Sequence, residues 1–327
     1  MSRSARIPTQ YKSPFEIDAR PVHEMSSPHA GLLATCRAFR SLGTPGLIAA
    51  HLQLQQRQRG FDEAPYLESV VLLQTAGGDC PADMQRLGGD TCLERGLGFK
   101  LPKVGAVRSF LQRFYDEALE LTRPQREVQK SFMMPSRALV EGLQSVQAGV
   151  VRRIAHLYAE QQPPWRRATV DQEATIIESR KEAARAHDEG GRGYQPMVAI
   201  WAEADPVLAD EFRDGHVPAH QEPLTCAKLA FAALPENIQE RYFRGDSACH
   251  ENGLLGWRKH PDRAQEPGGR MGFAVRAKRR AELVAARAQI SDPEWQTYDR
   301  EADGTLRQGA EVDFIPGEPG EKKDSQP

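Results

Sequence analysis

ATVDQEATIIES, residues 168–179, sets two acids into what otherwise reads as a β-strand. With a period of two, Asp171, Glu173 and Thr175 share one face, while Val170, Gln172 and Ala174 share the other. At about 4 Å and an effective dielectric near 20, two carboxylates repel by on the order of 4 kcal/mol, so something must share that charge. The fold class turns on this strand, because it opens a β-rich second half after a helical first half.

Upstream, GLLATCRAFRSLG (31–43), YLESVVLLQTAGG (66–78) and VGAVRSFLQRFYDEALEL (104–121) place apolar residues three and four apart, and Gly closes the first two. Over 136–160, Leu139, Val140, Leu143, Val146, Val150, Ile154 and Leu157 form one stripe, and QQPPW stops the helix because Pro cannot continue it. Pro164 is the expected boundary, giving a helical region over 1–164.

Downstream, three short strands are expected in 166–178, 193–203 and 209–217, separated by turns such as HDEGGRG. Then come a helix in TCAKLAFAALP, a strand in ERYFRGDSA, a helix in ENGLLGWRKH, a strand in RMGFAVRAK and a basic helix from Arg279 to about Ala288. Strands in a meander followed by strands alternating with helices imply an α/β domain over 165–290, with a mixed sheet flanked by helices. Residues 291–327 carry ten acids and four bases and are rich in Gly and Pro, so they read as a disordered tail.

Composition narrows the class. The 327 residues are 39% hydrophobic and 27% charged, enough for a sizeable core. No apolar run approaches the roughly 20 residues of a membrane span, and the N-terminus lacks the apolar core of a secretory signal, so a cytoplasmic protein is expected. Cys36, Cys80, Cys92, Cys226 and Cys249 are odd in number and form no CxxC, as for small buried or half-buried thiols rather than a disulfide framework or a zinc ribbon. The net charge of −2 hides an asymmetry: the tail carries −6, so residues 1–290 carry −2 − (−6) = +4, compatible with a DNA partner.

Asp171 lies mid-strand and Asp246 ends the fourth long strand. In a ribonuclease H-like topology those strands run side by side and parallel, which would bring both carboxylates together to hold Mg²⁺ or Mn²⁺ for phosphoryl transfer. Three other patterns carry less. GDSAC resembles a nucleophile elbow around Ser247, but Cys249 replaces its second Gly, and His250 and His260 lie too near to serve as the late base. His216 and His220 have i, i+4 spacing with Pro218 between them, which breaks the helix that would align them. GGRGY (190–194) is a tight turn rather than a phosphate cradle.

GGDCPADMQRLGGDTCLERGLGFKLPKVGAVRSFLQRFYDE (77–117), then VDQEATIIESRKEAA, GYQPMVA, FRDGHVPA, FRGDSA and MGFAVRAK, resemble in order the group 1 DDE transposases of bacterial insertion sequences. The resemblance implies a helical N-terminal region that grips transposon ends and a ribonuclease H-like core that cuts and joins double-stranded DNA with Mg²⁺. It puts the first family Asp on Asp171 and the second on Asp246, with Glu173 as a secondary ligand. Tyr194, Arg213 and Ser247 fall on recurrent motif positions. It also implies a dimer that works at the nucleoid. The family's third carboxylate, a Glu on a later helix, has no match: Glu311, Glu318 and Glu321 sit in the tail without a helical pattern. The expectation is therefore a truncated transposase, weak or inactive alone, or a non-catalytic DNA-binding fragment that occupies transposon ends. Arg108, Arg113, Arg152, Arg153, Arg166, Arg167, Lys278, Arg279 and Arg280 are the candidate phosphate contacts.

Overall fold

A computed structural model of the chain describes residues 26–54, 60–124, 131–261, 263, 269, 271–277 and 281–311. The chain divides into two compact units, one built on residues up to 117 together with 137–146, the other on 118–136 and 147 onward.

The first unit is helical: α1 (Leu32–Ser41), α2 (Thr44–His51), α3 (Glu63–Thr75), α4 (Met84–Leu87), α5 (Thr91–Leu97) and α6 (Val104–Gln112). Its core gathers Cys36, Leu72, Leu87, Leu93 and Val107, and a second cluster joins Ile48, Leu52 and Val146. Within it Arg40 crosses from α1 to the buried Glu68 of α3, with Nε 2.9 Å from Oε1, and also donates to the Leu97 carbonyl. Asp90 caps α5 by accepting from the Leu93 amide.

The single helix expected over 104–121 is two pieces, α6 and the short α7 (Glu117–Glu120). The amides of Arg113, Phe114 and Tyr115 turn back to carbonyls three residues earlier, and Phe114 packs against the second apolar cluster, drawing the chain off the helix axis. Helix α8 (Ala138–Ala159) is close to its expected span, but its stripe is shifted. In the second unit Val151 and Ala155 enter the core while Val150 and Ile154 are half-buried, one position off the stripe that periodicity suggests.

The second unit holds a five-stranded mixed sheet. Its strands are β1 (Arg167–Ala174), β5 (Met197–Trp201), β6 (Val207–Glu211), β7 (Glu240–Gly245) and β8 (Gly272–Val275), in the order β6-β5-β1-β7-β8. β1 pairs antiparallel with β5 and parallel with β7, and β7 pairs parallel with β8, so the first and fourth long strands lie side by side as expected. Ala168, Val170, Met197, Ala199, Trp201 and Phe243 face a core completed by α9 (Pro223–Ala233), α10 (Asn252–Lys259) and the second part of α8. Alternation along β1 therefore turns Thr169, Asp171 and Glu173 to the other face, where Arg167 and Glu173 are exposed.

Three elements depart from expectation. The HDEGGRG turn is part of a small sheet, β2 (Ile177–Glu178), β4 (Arg192–Tyr194) and β3 (Arg185–Ala186), in that order. Gly193 is required there, because a Cβ would sit 2.2 Å from the Ile177 carbonyl oxygen. The third long strand ends at Glu211, and Phe212–Val217 leave the sheet. Within the stretch read as a disordered tail, β9 (Gln296–Arg300) and β10 (Leu306–Gly309) pair as a hairpin, and residues 312–327 lie outside the described ones. Helix α11 (Ala281–Ala288) matches the expected basic helix from its third residue on. Among the described residues, no helix is long and apolar enough to cross a membrane.

Four of the five thiols are buried or half-buried as expected, and Cys80 is not. Cys36, Cys226 and Cys249 are buried, Cys92 is half-buried and Cys80 is exposed. Burial first, then the Glu68 carboxylate, pushes Cys36 up to about 11, and burial first, then Asp246, pushes Cys249 up to about 12. Native alkylation should therefore label Cys80 first and Cys92 next, leaving the other three for denaturant; peptide mass spectrometry reads the order, and early labelling of Cys249 would contradict it.

Candidate functional site

Strand register decides what Asp171 meets. Its Cα partner on β7 is Arg244, and Gln172 pairs with Gly245, so Asp246 comes one residue past the last pair on the same face as Asp171 and Glu173. Gly245 lets the chain turn there, since a Cβ would come 2.7 Å from Cys249 Cβ and 2.8 Å from its Sγ. Asp246 then opens a single 3₁₀ turn, Ser247–Cys249, by accepting from the Ala248 amide at 2.9 Å. Asp246 is exposed and the Asp171 side chain is 37% exposed, so solvent reaches both.

The charge on Asp171 is shared by a side chain. Arg244 Nη2 lies 2.5 Å from Asp171 Oδ2, and this hydrogen bond first, then the Coulomb attraction, holds the guanidinium above its usual range. Arg167 does the same with Glu240 four register positions upstream, and its guanidinium stacks 5.1 Å from the Tyr242 ring centre. The open face thus carries two cross-strand ion pairs. Arg244 is absent from the sequence-based candidates. The available signal was parity: it precedes Asp246 by two residues, which puts the two on one face of β7.

On the opposite face, the core supports the site. Gln172 is fully buried and donates to the Pro223 carbonyl at 2.9 Å, tying β1 to the start of α9, while Cys249 Sγ lies 3.7 Å from the Gln172 carbonyl oxygen. Beyond β6, the buried Arg213 reaches Glu211 and the carbonyls of Gln221 and Glu222, and the buried Asp214 accepts from Arg123. Tyr194 packs its ring 4.8 Å from that of Phe212. Arg213 and Tyr194 therefore shape the unit near the acids without belonging to their face. Ser247 lies within the 3₁₀ turn that Asp246 caps, and His216 and His220 lie in the segment between β6 and α9.

As a donor set, Asp171, Glu173 and Asp246 offer hard carboxylate oxygens on one accessible face. That chemistry fits one Mg²⁺ or Mn²⁺ that keeps most of its waters, because such ions are commonly held by one or two carboxylates. It does not fit a two-ion centre: among the described residues, no three His, Cys, Asp or Glu side chains converge to hold a metal. Glu311 is exposed just past β10, and Glu318 and Glu321 lie outside the described residues.

The candidate DNA contacts separate by partner. Arg152 donates to the Ala232 carbonyl, Arg153 reaches His156, and Arg167 is paired with Glu240. Arg108, Arg113 and Arg166 are exposed. Lys278, Arg279 and Arg280 lie outside the described residues.

No protein-family model matches the chain, and no curated protein matches it. Among solved structures, "Crystal structure of the Mos1 Strand Transfer Complex" is similar at 13% identity with a TM-score of 0.22, over 75% of this chain and 70% of that one. A TM-score of 0.22 falls below that of a shared fold, so function is read from the site.

Proposed function

We propose that the second unit is a ribonuclease H-like core of the DDE transposase kind, of the bacterial insertion-sequence group its motifs resemble, and that it acts on phosphodiester bonds of double-stranded DNA. One observation carries this reading: Asp171 and Asp246 come from adjacent parallel strands, at the centre of a sheet ordered β6-β5-β1-β7-β8, and share one open face. Asp171 and Asp246 would hold a single Mg²⁺ or Mn²⁺, and Glu173, on the same face, would bind its waters. When bound, such an ion supplies activation of an attacking oxygen and charge neutralisation at the leaving one. The chain's own contribution is placement: β1 and β7 fix the two carboxylates by backbone pairing, and the Asp246 cap on Ala248 holds the second one at the strand exit. Such a protein would work at the nucleoid, as a pair of copies on transposon ends.

With no three His, Cys, Asp or Glu side chains gathered to hold a metal among the described residues, strand transfer should be weak. Incubating the purified chain with Mn²⁺ and supercoiled plasmid should give slow nicking that Asp246→Asn and Asp171→Asn both remove, with no joined product. Nicking that survives both substitutions would sink the catalytic assignment.

A second reading has its own support. Arg244 already satisfies Asp171, as in a protein that binds DNA without cutting it. DNA binding with no nicking in either Mg²⁺ or Mn²⁺ would favour that non-catalytic role.

A further inference from the structure

We infer that Cys249 and Gln172, on the buried side of the sheet, are positioning residues: together they set the separation of Asp171 and Asp246, and so the affinity of that pair for one divalent cation. The inference rests on the cation site proposed above and adds what holds it in shape.

The register of β1 against β7 stops one residue short of fixing both acids. Its last pair is Gln172 with Gly245, so Asp171 lies within the paired strands and Asp246 lies beyond them. Asp246 accepts from the Ala248 amide with its side chain and from the Cys249 amide with its carbonyl, at 3.2 Å, and both bonds close the 3₁₀ turn on itself. Neither ties the turn to β1. The thiol does: Cys249 Sγ lies 3.7 Å from the carbonyl oxygen of Gln172, the residue between the two acids of β1. Burial holds that thiol in its protonated form, so it is the donor and the carbonyl the acceptor.

The tie is seated on both sides. Cys249 is fully buried, and a Cβ on Gly245 would come 2.7 Å from the Cys249 Cβ, so the turn folds back against the strand it leaves. Gln172 is fully buried as well, with Nε2 donating to the Pro223 carbonyl at 2.9 Å and lying 4.0 Å from Cys249 Sγ. One residue of β1 thereby meets the start of α9 with its side chain and the Asp246 turn with its carbonyl. Its Oε1 is buried without a hydrogen-bond partner among the described residues, a cost that an apolar side chain filling the same space would not carry. Mg²⁺ demands near-ideal octahedral geometry at about 2.0–2.1 Å, so a turn free to shift would lose one of its two carboxylates.

Titration of Mn²⁺ into the full chain, followed by electron paramagnetic resonance of the free ion, compares the parent with Cys249→Ser, Cys249→Ala and Gln172→Met. Both Cys249 variants lose the volume of the sulfur, and only the serine keeps a donor. Cys249→Ser should bind close to the parent and Cys249→Ala about tenfold more weakly, the low end of the range for groups that orient a metal ligand from behind. Gln172→Met fills similar volume without the amide and should weaken binding too. Hydrogen exchange without metal gives a second readout: the Ala248 and Cys249 amides should exchange faster in Cys249→Ala than in the parent or Cys249→Ser, while the β1–β5 pairs stay unchanged. Equal Mn²⁺ affinity of the Ser and Ala variants, or unchanged exchange of the turn in Cys249→Ala, would overturn the positioning role and leave Cys249 as packing alone. A parent that binds no Mn²⁺, or binds it as tightly after Asp246→Asn, would overturn the cation site itself, and the exchange measurement would still decide the tie.

Discussion

Arg213→Met is expected to lower the unfolding free energy of the second unit by about 3–5 kcal/mol, the range for removing one partner of a buried charge pair. The Arg213 side chain is fully buried. It donates to Glu211 Oε2 at 2.8 Å, to the Gln221 carbonyl at 2.7 Å and to the Glu222 carbonyl at 3.3 Å. One guanidinium thereby fastens the exit of β6 to the turn that leads into α9, where Glu222 is held at φ +47 immediately before Pro223. Met fills similar volume but leaves a carboxylate and two carbonyls short of a donor. Urea unfolding followed by tryptophan fluorescence should show a lower midpoint at an unchanged slope. Arg213→Lys should recover little of the loss, since an ammonium cannot reproduce the planar fork. A loss below about 1 kcal/mol would mean that the network is not a structural tie.

That network marks the limit of what the sequence could disclose. Period-two alternation placed Asp171 and Glu173 on one face and Val170 on the other, and both hold because β1 is buried on one face only. Pairing of the first and fourth long strands was likewise accessible, since helices separate the later strands and parallel pairs require such crossovers. Register was not. Arg244 and Asp171 are 73 residues apart, and a slip of one position would send Arg244 to the core. Gln172 reads as polar, yet it is buried, because its amide finds the Pro223 carbonyl only once α9 is docked. The β2-β4-β3 sheet has strands of two or three residues, too short for any period to emerge. The one-position shift of the α8 stripe has the same origin: several apolar residues compete along that helix, and the sheet beneath selects Val151 and Ala155 over Val150 and Ile154.

Composition was informative for charge in sum but not for its disposition. The candidate arginines form one class by residue type, whereas the fold divides them into those held by a partner within the second unit, Arg152, Arg153 and Arg167, and those left exposed, Arg108, Arg113 and Arg166. Arg258 is a third kind, fully buried with its guanidinium 3.6 Å from the Phe273 ring centre, and burial draws it down to about 10. Being basic is therefore a poor guide to contact with DNA in this chain, and counter-charge on neighbouring strands is the better one.

Arg244→Gln should tighten Mn²⁺ binding at Asp171 and Asp246 on the order of tenfold. The guanidinium occupies the lone pairs of Asp171 that an ion would use. The two side chains are 55% and 37% exposed, so water screens them and the dielectric of bulk water is the relevant one. A unit cation about 4 Å from a divalent ion then costs about 2 kcal/mol. Gln keeps much of the side-chain length and a donor for Asp171 but removes that repulsion. Because the pair is exposed, its own contribution to folding is about 0–1 kcal/mol, so the variant should melt close to the parent and the comparison stays one of binding. Electron paramagnetic resonance of free Mn²⁺ during titration gives the affinities of the parent, Arg244→Gln and Asp246→Asn. The expected order is Arg244→Gln tightest, the parent next and Asp246→Asn weakest. Identical affinities for Arg244→Gln and the parent would show that the guanidinium does not compete for Asp171. Loss of binding in Arg244→Gln would instead make the arginine an organiser of the carboxylates, with the ion seated beside the pair and not in its place.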